Sequence, residues 1–119
     1  MTVRLKSYTG ETGCVYQYYF VGKRTALPDD LFAPATEFIF DILSGRKPTF
    51  AVSIFLRESV VRDWQAGHGR ELSDTEIYAS AKMRLFQAFD EIEDLMEEGR
   101  RLVIDGEALE ELLGKVGVE

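Results

Sequence analysis

The sequence predicts a single α+β domain, in which a small antiparallel sheet of three to five strands packs against a long amphipathic helix and shorter helices. Three observations predict this class. Strand-like segments fill the first half of the chain and helix-like segments the second half, which argues against alternating βαβ units. The length of 119 residues suits one domain, residues 1–119. With 45% hydrophobic and 29% charged residues, the composition is that of an ordinary globular protein.

The first two strands are predicted to form a hairpin. Val3 to Tyr8 is the first strand, and the turn-forming residues TGETG, Thr9 to Gly13, lead into CVYQYYFVG. Aromatic side chains favour the pleated surface of a strand, so this second segment is also extended. The prolines and aspartates of LPDDLFAP, Leu27 to Pro34, then interrupt any periodic pattern and predict a loop.

A second hairpin is predicted in TEFIFDILSGRKPTFAVSIFL, with its turn at Ser44 to Pro48. The first arm has an alternative interpretation, because Pro34 near its start and Gly45 just past its end would also bracket a short helix. Phe and Ile residues crowd residues 36–43, so we favour the strand.

The second half of the chain has helical periodicity. A short helix is predicted over Glu58 to Gln65. Ser73 and Glu76 fit a capping box, after which apolar residues recur every three or four positions. This pattern predicts a long acidic amphipathic helix over about residues 74–98, ended by Gly99.

The last segments are shorter. The sequence RLVI, residues 101–104, is predicted to be a short strand or an extended crossing. Asp105 is a suitable cap for a final helix that continues through Leu113.

His68, the only histidine, lies between Gly67 and Gly69, just before the predicted capping box. We interpret it as a loop residue in the connection between two helices, because glycine reaches positive φ without steric cost. A catalytic histidine would need an orienting carboxylate and a nucleophile. The sequence has carboxylates near His68 but no nucleophile motif, and its single thiol, Cys14, is expected to be packed at the start of a strand.

Residue alternation divides the predicted sheet into two faces. The first face is the seat for the long helix and collects Tyr16, Tyr18, Phe20, Phe38, Phe40, Ile42, Phe50, Val52, Ile54 and Leu56. The second face collects Val15, Gln17, Tyr19, Val21, Ile39, Asp41, Leu43, Ala51, Ser53 and Phe55. This second face is too apolar to be left in water, so we expect the Trp64 helix, the C-terminal helix or another subunit to cover it.

Two candidate sites follow from these faces. Four polar residues among the apolar ones of the second face form a candidate ligand site: Gln17, Tyr19, Asp41 and Ser53. The alternative is structural, with Asp41 and Ser53 bonded to each other across the hairpin. A candidate interaction site combines tryptophan with nearby cationic side chains: Arg57, Arg62, Trp64, His68 and Arg70. Here the alternative is that Trp64 only fastens the short helix to the sheet.

Several functional classes are disfavoured. The net charge of −7, without a run of basic residues, argues against nucleic acid. No apolar run approaches the roughly 20 residues that span a bilayer, and the N-terminus lacks a signal core, so we expect no membrane association. One histidine and one cysteine cannot make a structural zinc site, and we predict no metal or other cofactor. A single cysteine fits the reducing cytoplasm.

The leading hypothesis is a non-catalytic module that acts through self-association, with a homodimer favoured, or through a protein partner, using the apolar second face. The alternative hypothesis is a small-molecule-binding protein or modest enzyme, with a pocket on the second face or around His68 and Arg70.

Overall fold

A computed structural model describes residues 5–10, 13, 15–26, 34–43, 45, 48–92 and 94–118. Residues 27–33 of the predicted loop, Glu11 and Thr12 of the TGETG turn, and Cys14 lie outside these residues. The described chain forms five strands: β1 (Lys6–Thr9), β2 (Val15–Ala26), β3 (Ala35–Leu43), β4 (Phe50–Arg57) and β5 (Arg101–Ile104). It also forms four helices: α1 (Glu58–His68), α2 (Asp74–Glu91), α3 (Leu95–Glu98) and α4 (Gly106–Lys115). The predicted α+β class is confirmed.

The five strands form one sheet in the order β1-β2-β3-β4-β5. The first four strands are antiparallel to their neighbours, as predicted, whereas β5 lies parallel to β4. The sheet is therefore mixed, because the chain runs through three helices before it returns as β5. Such a crossover is what a parallel connection requires.

The second hairpin settles the alternative left open for residues 36–43. These residues are a strand, and Ile42 pairs with Phe50 of β4. Most of the predicted turn at Ser44 to Pro48 lies outside the described residues. On the other side of β3, the register with β2 shifts between Phe20 and Gly22, where a β-bulge adds one residue to β2. The bulge reverses the alternation of side chains in the rest of β2.

The long helix begins as predicted but ends early. Ser73 caps α2 through the complete capping box with Glu76, and the helix stops at Glu91 rather than near residue 98. The chain breaks out of the helix because Ile92 is extended (φ −106°, ψ 110°) and Asp94 caps the separate helix α3. Gly99 follows α3, where a Cβ atom would collide with the side chain of Leu95.

The first helix is longer than predicted and includes His68 in its last turn. The interpretation of His68 as a loop residue is therefore wrong. Of the two flanking glycines, only Gly69 adopts a left-handed conformation (φ 66°), and it forms the C-cap. Gly67 is helical, so one glycine is sufficient to end α1. Further on, Asp105 caps α4 by accepting a hydrogen bond from the Ala108 amide, as predicted.

The helices that contact the sheet pack on one face, which we call the covered face. Trp64 of α1 and Leu85 of α2 belong to the same buried cluster as Phe40 and Ile54 of the sheet. The buried side of α4 joins this cluster through Leu109, Leu112 and Leu113. The Trp64 helix α1 and the C-terminal helix α4, both expected to cover the second face, therefore pack on the first face and complete the core there.

Candidate interface on the open sheet face

None of the described helices packs on the second face of the sheet, which we call the open face. Successive residues of the central strands alternate between the two faces, as the sequence predicts. The open face includes Val15, Gln17, Tyr19, Arg24, Ala35, Glu37, Ile39, Asp41, Leu43, Ala51, Ser53, Phe55, Arg57, Arg101 and Val103. One of the predicted residues has another position: Val21 lies at the bulge, and Gly22 and Arg24 continue the open face along β2.

The first polar pair on this face joins Tyr19 and Asp41. The two residues are directly opposite each other on β2 and β3, and the Tyr19 hydroxyl donates a hydrogen bond of 2.6 Å to Asp41 Oδ2. This hydrogen bond raises the pKa of Tyr19, with smaller contributions from burial and from the charge of Asp41. Because phenol already ionises near pH 10, the Tyr19 hydroxyl stays a neutral donor at neutral pH.

The proposed pair between Asp41 and Ser53 does not form. Asp41 lies opposite Ala51, and Ser53 lies opposite Ile39, so the two polar residues are offset by one pair along the ladder. Each has a different partner: Tyr19 for Asp41, and Glu37 for Ser53. The sequence placed these residues on the correct face but could not fix the register.

Glu37 is the centre of the second polar cluster. Its side chain is only 8% exposed and accepts hydrogen bonds from Arg24 Nε at 2.8 Å and from Ser53 Oγ at 2.7 Å. Burial alone raises the pKa of the Glu37 carboxyl. The two hydrogen bonds and the positive charges of Arg24 and Arg101 outweigh burial, and the pKa is lowered overall. Glu37 therefore remains an anion on the surface of the sheet.

Glu37 and Arg24 are polar residues of the open face that the sequence did not predict. Simple alternation from Tyr18 puts Arg24 on the covered face, but the bulge between Phe20 and Gly22 moves it to the open face, opposite Glu37. A bulge leaves a weak signal in sequence, here only Gly22 in the middle of a strand. Glu37 itself was recognisable, since it is two residues before Ile39 and four before Asp41.

Arginines border the open face on its β4–β5 side. The Arg101 guanidinium carbon lies 4.8 Å from the centre of the Phe55 ring, so the cation covers an aromatic side chain that is 6% exposed. Arg57 Nε is buried and has no hydrogen-bond partner among the described residues. A buried donor without an acceptor costs free energy.

The four predicted ligand residues thus share a face without forming a pocket. Tyr19, Asp41 and Ser53 are bonded to neighbours on the sheet, and Gln17 is exposed near its β1 side. Two surface cavities, one beside Tyr8 and Phe86 and the other beside Phe20 and Tyr78, contain none of these four residues. The open face is therefore a broad polar and apolar surface.

The predicted interaction residues separate into two groups. Arg57 lies on the open face and Arg62 is an exposed residue of α1. The other three form a cluster at the end of α1: the His68 ring stacks on Trp64 at 4.0 Å, and Arg70 lies 5.5 Å from the Trp64 ring while pairing with Glu76. His68 Nε2 also lies 2.8 Å from Glu110 Oε2, which connects α1 to α4.

This cluster has the geometry of a structural joint. Trp64 is 6% exposed and belongs to the core, in keeping with its interpretation as the residue that fastens the short helix. The contacts of His68 and Arg70 reach α4 and α2, so they fix the relative positions of three helices. The carboxylate partner of His68 comes from Glu110, forty-two residues away, and spacing in the sequence gives no indication of it.

Two other features, a metal site and a membrane-spanning helix, are absent from the described residues. In the part of the chain that the structure describes, no group of three or more His, Cys, Asp or Glu side chains is placed to hold a metal ion. No helix among the described residues is long and apolar enough to cross a membrane.

Comparison of the chain with family models, with curated proteins and with solved structures finds no match. The chemistry of the open face and of the cavities is therefore inferred from their own residues.

Proposed function

We propose that the protein is a non-catalytic association module that forms a symmetric homodimer, with the open face of each sheet packed against that of the other. The observation that carries this proposal is the one-sided arrangement of the helices. All four described helices contribute to the core on the covered face, while half-buried apolar side chains remain on the open face: Ile39, Leu43, Ala51 and Val103.

The size of the open face supports this proposal. Strands β3 and β4 have nine and eight residues. With a rise of about 3.3 Å per residue and about 4.8 Å between strands, five strands give a face of about 25 by 25 Å. This projected area approaches the about 800 Å² that each partner of a stable complex usually buries.

The charges of the open face favour a second copy. The face carries two carboxylates and three guanidinium groups, whereas the whole chain has 21 acidic and 14 basic residues. Two copies would therefore meet through the part of their surface where mutual repulsion is weakest. In a two-fold dimer each face meets its equivalent, so acidic and basic groups of the two copies come together in equal numbers from each side. The single cysteine supports the cytoplasm as the compartment.

Val15 provides the test, because it is on the open face and is 55% exposed. Val15→Asp should leave the fold intact and should shift the protein from twice the chain mass of 13.5 kDa towards the monomer. The control is Val116→Asp, which changes an exposed valine (39%) at the end of α4. Sedimentation equilibrium over a range of concentrations gives the masses. A wild-type monomer at all concentrations, or equal effects of the two substitutions, would refute the proposal.

A further inference from the structure

A cavity of about 260 Å³ lies on the covered side of the sheet, where the middle of β2 approaches the start of α2. It is lined by Phe20, Lys23, Phe38, Asp74, Thr75 and Tyr78. Pockets for drug-sized ligands usually measure about 300–1,000 Å³, so this one suits a smaller molecule. The cavity shares no residue with the open face and is independent of the proposed dimer.

Aromatic rings form the body of the cavity. Phe38 is fully buried, while the Phe20 ring is 39% exposed and meets the Tyr78 ring edge-on at 4.9 Å. Phe20 is accessible because the described part of β1 pairs with β2 only as far as Tyr18. Burial raises the pKa of Tyr78, so its hydroxyl is neutral at pH 7. These rings offer a flat apolar group a surface on which it can stack.

The rim of the cavity carries one charge of each sign. Lys23 Nζ lies 3.9 Å from Asp74 Oδ1, and the two side chains are 48% and 93% exposed. Such a solvated pair is worth little to stability and is easily opened. A ligand with an ammonium and a carboxylate on neighbouring atoms would satisfy both groups.

We infer that this cavity binds a small zwitterion with an apolar body, as in a free α-amino acid with an aromatic or branched side chain. The apolar body lies against Phe20 and Tyr78, the carboxylate faces Lys23, and the ammonium faces Asp74. A simple anion is disfavoured by Asp74 and by the net charge of −7, and a simple cation is disfavoured by Lys23.

The inference is tested by titrating the ¹⁵N-labelled full chain at pH 7 with three probes and recording amide chemical shifts. L-Phenylalanine carries both charges, phenethylamine lacks the carboxylate, and 3-phenylpropionate lacks the ammonium. L-Phenylalanine should shift the amides of Phe20, Thr75 and Tyr78 and should bind about two- to fivefold more tightly than either analogue, because each analogue leaves one solvated rim charge unmatched. No shift at millimolar L-phenylalanine, or equal affinity for all three probes, would overturn the inference.

Two variants assign the contacts within the cavity. Phe20→Ala should weaken binding of all three probes, whereas Lys23→Met should weaken L-phenylalanine and leave phenethylamine unchanged or slightly improved. Val21→Ala is the matched control, since Val21 is adjacent and 53% exposed but does not line the cavity. If Lys23→Met leaves the order of the three affinities unchanged, the rim charges do not distinguish the three probes and the inference fails.

Discussion

The two faces of the sheet remove their side chains from water in different ways. On the covered face, side chains such as Phe40 and Ile42 are fully buried, and stacked rings connect the sheet to α2. On the open face, the neighbouring positions Ile39 and Asp41 are half-buried, and polar side chains pair with one another across the strands. Adjacent residues of one strand therefore belong to two different environments.

This difference indicates where most of the stability resides, and the proposed association uses the other face. The covered face holds most of the buried apolar surface, which is the main favourable contribution to folding. The open face has its carboxylates already satisfied by Tyr19, Arg24 and Ser53, so the folded monomer pays no penalty for an unpaired acid there. A face of this kind is stable in water and is still able to pack against another protein.

The largest effect expected from this comparison comes from adjacent residues of β3. Phe40→Ala should lower the free energy of unfolding by about 3–5 kcal/mol, because it leaves a cavity in the core. Ile39→Ala, one position away on the open face, should cost less than about 2 kcal/mol in the monomer, because its side chain is partly exposed. Urea denaturation at low protein concentration measures both values. Equal losses would contradict the distinction between the faces.

An intermediate effect is expected at Glu37. Glu37→Gln should lower the free energy of unfolding by about 1–3 kcal/mol at pH 7, because the amide cannot accept both hydrogen bonds that the carboxylate receives. The pKa of Glu37 is lowered in the folded state, so the carboxylate contributes stability above its unfolded pKa of about 4.3. This contribution disappears as the pH falls through the lower folded pKa.

The pH dependence separates this contribution from other effects of the substitution. The stability difference between wild type and Glu37→Gln should be constant from pH 6 to 8 and should shrink below about pH 4. Denaturation curves at each pH provide the comparison. Ser53→Ala removes one hydrogen bond to the same carboxylate without removing the charge, and it should show a smaller loss with a weaker pH dependence. A difference that grows on acidification would show that the sign of the Glu37 pKa shift is wrong.

The smallest effect is expected at the joint between α1 and α4. His68→Ala removes a stacking contact with Trp64 and a hydrogen bond to Glu110, whose side chain is 58% exposed. We expect the free energy of unfolding to fall by at most about 1 kcal/mol, with no change in the oligomeric mass. Thermal unfolding and light scattering measure the two quantities. Loss of the dimer in this variant would contradict an interface on the open face, because His68 does not lie there.

The sequence was sufficient for the features that depend on local pattern. The capping box of Ser73 and Glu76, the cap at Asp105 and the alternation in β3 and β4 all rest on side chains close in sequence, and the structure confirms them. The position at which α2 ends was not predicted correctly from the sequence. The apolar spacing continues past Glu91, and only the local geometry of Ile92 and Asp94 breaks the helix.

Features that depend on strand register or on helix packing could not be predicted from the sequence. The prediction of an Asp41–Ser53 pair needed the alignment of β3 with β4 to within two residues, and the actual alignment gives both residues other partners. The Arg24–Glu37 pair needed knowledge of the β-bulge. The contact between His68 and Glu110 depends on the packing of α1 against α4, which is a tertiary property.

The most direct test of the proposed interface is an isotope-filtered NOE experiment on a dimer that combines one ¹³C-labelled and one unlabelled chain. It identifies which methyl groups of one subunit lie close to the other subunit. The account predicts intermolecular contacts from methyl groups of the open face, at Val15, Ile39, Leu43 and Val103. Intermolecular contacts confined to helix residues such as Val116, or the absence of any intermolecular contact, would contradict it.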